Sequence, residues 1–430
     1  MSEGALVVGF LCQGWVPDAG GIETHTADLA RELMRRGHEL FVLCLDATPG
    51  YEAFSVRDGG LDGVSVRRMA YAYQDQTSLA DVLFNPRADD VVMAWMAERP
   101  CDVIHVHHLT GFGAGALRAI ADMGRPLVMT LHDYWLLCPR GQMLRTDGSV
   151  CATAQPQACG ECIAATWPHL MPARSAEARA AAARSRTAVA LEVLGLPGRL
   201  VAPSQTVLDV YAACGVDTAR GQVIEHGFDA AALAHEVAAC RERAPRSDGE
   251  LRLGVLGSVQ PSKGQLELAR AVCASEVPQL TLEVHGELAA YHGDPSYAGA
   301  LRALAAEHDR VRLHGPYARP DLARVLAGLD GVAAPSIWNE PYGLTVREAR
   351  ACGLPVLVSD RGGLPAAAQE GLAGLVLPPG DREAWKHALI RFASPSERAR
   401  WCARPHALGS ASEMTLAVER CYHDVIDAAS

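Results

Sequence analysis

The feature that most restricts the fold of this chain is a repeated alternation of short apolar runs with helix-length polar segments. "ALVVGFLC", "HELFVLCLD", "DVIHVHH", "PLVMTLHD" and "GRLVAPS" are rich in Val and Leu and show little polar alternation. Strands read this way when a parallel sheet buries both their faces. After the first run, "IETHTADLARELMRRG" carries Ile22, Leu29 and Leu33 on one helical stripe, with Gly37 placed to cap its end. The rhythm then restarts with "LRLGVLGS", "LTLEVHGE", "RVRLHGP", "GVAAPS", "LPVLVSD" and "AGLVLPPG". The pattern predicts two doubly wound α/β domains, 1–228 and 249–395, since 430 residues exceed what one core usually holds. The charged, Pro- and Gly-punctuated stretch 229–248 reads as a linker, and 396–430 as a helical tail packing back on the N-terminal domain. In such folds ligands bind at the carboxyl ends of the strands.

Composition removes several functions. A net charge of −11 argues against a nucleic-acid partner held through phosphates. No run approaches the 18 or so apolar residues of a membrane span, and "ALVVGFL" lacks the flanks of a signal peptide. Thirteen cysteines are too sparse for a disulfide scaffold and fit a reducing cytoplasm. The Arg-bearing segment from Arg174 to Arg199 reads as a solvated helix face, the alternative being a basic surface for peripheral membrane contact.

The stretch "NEPYGLTVREARACG" places Glu340 and Glu348 around a Tyr-Gly-Leu turn, with a helical segment opening at Gly343 and Leu344. Backbone amides at a helix start favour an anion such as a diphosphate. The flanking carboxylates, which only accept hydrogen bonds, suit the vicinal hydroxyls of a sugar and a ribose. The alternative is a surface Glu340 and a helix Glu348 paired with Arg347 or Arg350.

The longer run "PSIWNEPYGLTVREARACGLPVLVSDRGGLP" closely resembles the donor motif of retaining family 4 glycosyltransferases. The resemblance implies a GT-B fold, two Rossmann-like domains facing a central cleft, and no catalytic metal. It implies that Glu340 meets the donor sugar, that Glu348 meets the nucleotide ribose, and that Tyr342, Gly343 and Leu344 lie at the diphosphate. "GWVPDAGGIETHTADLARELMRRGHE" resembles the family's glycine loop, which brings Gly20 and Gly21 close to the diphosphate. "LVMTLHDYW" places His132 where the family contacts the donor sugar near the reacting carbon. His105, His107 and His108 read as structural, with His107 near the acceptor. "LGVLGSVQPSKGQLELARAV" matches the segment that supplies an arginine and a lysine to the diphosphate. Lys263 is present, but the arginine position is Ser258. Losing one such donor costs on the order of 3 kcal/mol of transition-state stabilisation. Arg347 or another cation would have to substitute, or Ser258 donates a weaker bond.

The implied function is transfer of a hexosyl group from a nucleotide-diphosphate sugar to a glycan, a lipid-linked sugar or a small hydroxyl acceptor. His132, Lys263 and Glu340 would be its catalytic set. The alternatives are a non-catalytic nucleotide-sugar-binding protein and a nicotinamide-dependent oxidoreductase. The oxidoreductase lacks its fingerprint, because "GFLCQGWVPDAGG" is not Gly-x-Gly-x-x-Gly.

One segment is left over. "CPRGQMLRTDGSVCATAQPQACGEC" spaces Cys138, Cys151, Cys159 and Cys162 as Cys, twelve, Cys, seven, Cys, two, Cys, inside an insertion over about 138–175. Four thiolates ending in Cys-x-x-Cys suit a structural tetrahedral zinc; the alternative is four reduced, unligated cysteines in a loop.

Overall fold

The computed structural model describes residues 4–15, 20–72, 76–172, 175–244, 249–402 and 409–429. The chain forms two compact units, Met1–Gly227 with Ala411–Ser430, and Phe228–Ser410.

The first unit is built on an eight-stranded sheet of β1 (Val7–Cys12), β2 (Glu39–Asp46), β3 (Val56–Leu61), β4 (Val64–Ala70), β5 (Val103–Val106), β6 (Leu127–Thr130), β7 (Arg199–Ala202) and β8 (Gly221–Val223). Its order is β3-β4-β2-β1-β5-β6-β7-β8, parallel except for β3 against β4. Every residue of β5 and β6 is buried, as their unbroken apolar runs predict. The β3–β4 hairpin is an addition to that expectation. It turns on Asp62 and Gly63, both at positive φ (52° and 82°), the backbone that an Asp-Gly turn supplies.

The second unit holds β9 (Leu251–Leu256), β10 (Leu280–His285), β11 (Val311–Gly315), β12 (Gly331–Ala334), β13 (Val356–Ser359) and β14 (Gly374–Leu377). These form one sheet in the order β11-β10-β9-β12-β13-β14, covered on each face by a separate apolar cluster. In both sheets the strand order reverses beside the first strand. The crevices that doubly wound folds use for ligands therefore open at the carboxyl ends of β1 and β5, and of β9 and β12.

Two boundaries differ from the sequence expectation. Most of the stretch read as a linker, 229–248, is the helix Ala230–Arg243. It buries Val237, with Leu233 and Cys240 beside it, against Leu322, Val325 and Leu326 of the second unit; residues 245–248 lie outside the described residues. The tail read as 396–430 divides. The helix Pro395–Cys402 stays with the second unit, burying Trp401 in its core. The helix Ala411–Ala429 lies in the first unit, where Met414, Val418, Cys421, Tyr422 and Val425 complete the core under β1, β5 and β6. Among the described residues no helix is long and apolar enough to cross a membrane.

Candidate functional site

In the second unit the loops after β9 and β12 meet at the crevice. Gly264 adopts φ 70°, and a β-carbon there would collide with the Pro335 carbonyl, so only glycine lets the two loops touch. Ile337 N donates to Ser262 O at 2.8 Å across the same contact. Gln265, fully buried, donates to Ser258 O (2.9 Å) and accepts from Gln260 N (3.3 Å), bracing the loop from inside.

Lys263 and Glu340 come together on this scaffold. The Lys263 ammonium donates to both Glu340 carboxylate oxygens, at 2.7 and 2.8 Å. Ser336 Oγ (3.1 Å) and Trp338 Nε1 (3.0 Å) donate to Glu340 Oε2. Gly363 N holds the Glu340 carbonyl at 2.7 Å, which accounts for the Gly-Gly turn that follows β13. Glu340 thus has one orientation, and Lys263, with 28% of its side chain exposed, keeps its cation at the crevice. The stretch around Gly343 does start a helix, Leu344–Ala351, and Gly343 caps it at φ 75°.

The remaining members of the expected donor set are placed differently. Glu348 is only 2% exposed and is ion-paired with Arg319. Arg347 is itself buried, donates to Tyr342 O and lies 3.7 Å over the Tyr342 ring. It braces the turn through these contacts to Tyr342. Arg350 is buried too and donates to Ala367 O. Tyr342 is covered by Arg347, whereas Leu344 is partly exposed at the helix start and Ser258 is exposed after β9. Arg319 and the Ser336–Trp338 cradle are additions that sequence reading did not single out. Trp338 and Ser336 sit inside the quoted motif, so their proximity to Glu340 was the available signal.

In the first unit, Gly20 precedes and Gly21 opens the helix Gly21–Arg35, while 16–19 of the glycine loop lie outside the described residues. A β-carbon at Gly20 would press on Glu23, but one at Gly21 would meet nothing within 4 Å, so internal packing does not demand that glycine. His132 follows β6 and does not stand alone. Its Nε2 is 3.2 Å from His107 Nδ1, and its ring lies 5.1 Å from His25 and 5.4 Å from His226. All four are buried. Burial pushes the His25 pKa down to about 3, and burial followed by neighbouring imidazoles holds His107 and His132 well below the ordinary value. His25, His107 and His132 are therefore neutral hydrogen-bonding groups. Both ring nitrogens of His25 and Nε2 of His107 make no hydrogen bond.

His105 is a core residue, bonded to Tyr422 OH (2.8 Å) and Thr130 Oγ1 (2.7 Å). His108 pairs with Asp133 at 3.2 Å. Because β5 ends at Val106, His107 leaves the strand and joins His25, a residue missed although it continues the stripe of Leu29 and Leu33 at four-residue spacing.

The two sheets thus place a ligand crevice at each switch point, and the one after β9 and β12 carries a lysine–carboxylate pair beside a helix start. Residues 19–232 match the family model Glycosyltransferase Family 4, and residues 250–394 match Glycosyl transferases group 1. A D-inositol 3-phosphate glycosyltransferase of Actinosynnema mirum is 32% identical over 302 residues, covering 66% of this chain and 69% of that protein. Its counterpart from Kineococcus radiotolerans is 28% identical over 95% of this chain and 92% of its own length. Among solved structures, sucrose-phosphate synthase from Thermosynechococcus elongatus superposes with a TM-score of 0.75 at 19% identity, over 98% of this chain and 99% of that one. Anabaena HepE in complex with UDP-glucose gives 0.65 at 20% identity, over 98% and 99%. The chain belongs to glycosyltransferase family 4, has the two-domain GT-B fold, and is a glycosyltransferase.

Proposed function

We propose that the enzyme takes a hexosyl group from a nucleotide-diphosphate sugar and transfers it, with retention, to a hydroxyl acceptor. The observation that carries this reading is the Lys263–Glu340 pair at the β9/β12 switch point. Lys263 offers the charge that a departing nucleotide diphosphate needs, and the carboxylate, fixed by Ser336 and Trp338, is oriented to accept from sugar hydroxyls. The start of the helix Leu344–Ala351 adds backbone amides and the positive end of its dipole, with Gly343 and Leu344 at the diphosphate.

Arg319 is ion-paired with Glu348, and the pair is assigned to the ribose end of the donor. In the first unit, His132 and its neutral neighbours suit uncharged hydroxyls. A buried imidazole N–H without an acceptor costs about 1–3 kcal/mol, which a bound hydroxyl would recover. Gly20 and Gly21 complete the reading as the glycine loop at the diphosphate. No catalytic metal is invoked.

The test is a thermal-shift and transfer screen with UDP-, GDP-, ADP- and dTDP-sugars. The acceptors to try are inositol phosphate, after the relatives' name, then glycans and lipid-linked sugars. Lys263→Ala and Glu340→Ala should each lower transfer about 100- to 1,000-fold. Full activity in both variants would overturn the assignment, and NMR of the product anomer decides retention.

A further inference from the structure

The insertion between β6 and β7 carries chemistry that the donor reading does not use. We propose that Cys138, Cys151, Cys159 and Cys162 form a structural zinc site. The four come from three separate pieces of chain. Cys138 closes a turn in which its N–H donates to Tyr134 O, and Cys151 N donates to Met143 O beside the Leu144–Val150 bridge. Cys159 and Cys162 are one turn apart on the helix Pro156–Thr166, hence on one face. All four are free thiols, and all four line one pocket of about 30 Å³.

The surroundings are those a thiolate site requires. Arg140 and Arg145 line the same pocket as the four sulfurs, and Arg145 donates to Gln155 Oε1 at 2.8 Å at its rim. Arg186 is 3% exposed, donates to the carbonyls of Leu136 (2.9 Å) and Trp135 (2.5 Å), and lies close enough to act on Cys138 and Cys159. A zinc ion bound by four thiolates carries two negative charges, which Arg186 and Arg145 offset. Binding replaces four S–H bonds by four Zn–S bonds and releases four protons. Among its described residues the insertion over about 138–175 buries only a few apolar side chains, Met143, Leu144, Ile163, Leu170 and Met171, fewer than an independent core needs.

The sulfurs are not yet at ligand spacing. Tetrahedral zinc sets them about 3.8 Å apart, whereas among the described residues the one set of three with ligating atoms within 4.8 Å is His25, His107 and His132. Binding an ion would have to draw the four sulfurs together. The histidine set has the shorter spacing but the wrong surroundings. A ligating histidine donates its second N–H to a carboxylate or carbonyl, whereas His25 would keep one nitrogen orphaned. Three neutral imidazoles also leave the ion's charge uncompensated in a buried place.

The experiment is elemental analysis of the full chain, purified without an affinity tag from zinc-supplemented cells. About one zinc per chain is expected, lost in Cys159→Ser/Cys162→Ser and retained in His25→Gln/His107→Gln. Should the cysteine variant fail to fold, the unmodified protein loaded with Co²⁺ decides through the intense sulfur-to-cobalt absorption of a four-thiolate site. The proposal is overturned by protein that carries no zinc, by zinc that follows the histidines, or by a cobalt spectrum without sulfur bands. None of these outcomes bears on the donor assignment, which is read by transfer activity.

Discussion

Gly264 and Ser258 act in opposite ways on the same loop. Gly264 holds Lys263 in reach of Glu340, because its left-handed backbone and missing β-carbon let the loop rest on the Pro335 carbonyl. Gly264→Ala should lower stability by about 2 kcal/mol in urea unfolding and weaken donor binding with it. Lys263→Ala, which removes a partly exposed cation, should leave the unfolding midpoint within a few tenths of a molar while lowering transfer about 100- to 1,000-fold. If the two variants lost activity and stability in the same proportion, the lysine would be a structural residue. Ser258 is exposed at the position where relatives of the resembling family carry a diphosphate arginine. Ser258→Arg should therefore raise the transfer rate, by about tenfold if the new guanidinium contributes 1.4 kcal/mol. A rate that stays level or falls would show that another group already fills that role.

The tail helix Ala411–Ala429 is an integral part of the first unit, since its apolar face supplies Val418, Cys421, Tyr422 and Val425 to the core. It also ends two polar chains. Glu419 accepts from Arg36 Nε at 2.6 Å and pairs with His38 at 2.7 Å, and Tyr422 OH bonds His105. Tyr422→Phe leaves His105 Nδ1 without that partner and should cost about 1–3 kcal/mol in the first unit's unfolding, with the second unit's transition unmoved. Which elements are legible in the sequence follows from the same physics. Buried parallel strands announce themselves as unbroken Val/Leu runs, and Glu340 and Lys263 each sit in a local motif of their own, 77 residues apart. The β3–β4 hairpin is carried by two turn residues, Asp62 and Gly63, inside strands of mixed polarity, so no run marks it. Arg319 lies 29 positions from Glu348, and the ends of that ion pair share no local pattern. The tail's membership in the first unit is likewise a long-range fact.

At the scale of the whole molecule the buried histidines make acid the weak direction. Burial pushes His25 and His105 down to about 3 and holds His107 and His132 well below the ordinary value, all in the first unit. In the second unit, burial brings His285 down to about 4. In the unfolded chain each titrates near about 6.5. Above that value both states are neutral at these groups, and pH has no hold on them. Below it the unfolded chain takes up protons that the folded chain refuses, so stability is lost as pH falls from about 6.5 toward 3. Each fully responding histidine contributes about 1.4 kcal/mol per pH unit. Carboxylates with lowered values act in the same direction but later. Glu250, brought down to about 2 by its hydrogen bonds to Arg312 and Arg252, matters only below about 4.5. Between about pH 6.5 and 5 the four histidines of the first unit are opposed by Asp89, whose carboxyl burial pushes up to about 6 and which gains stability as it protonates, but four groups outweigh one. Calorimetry across this interval should show the melting temperature falling steeply, and the transition of the first unit moving further than that of the second. His25→Gln should make the fall shallower by about one proton's worth of slope. A melting temperature that stays level down to pH 5 would mean that the cluster opens to water and protonates in the folded state.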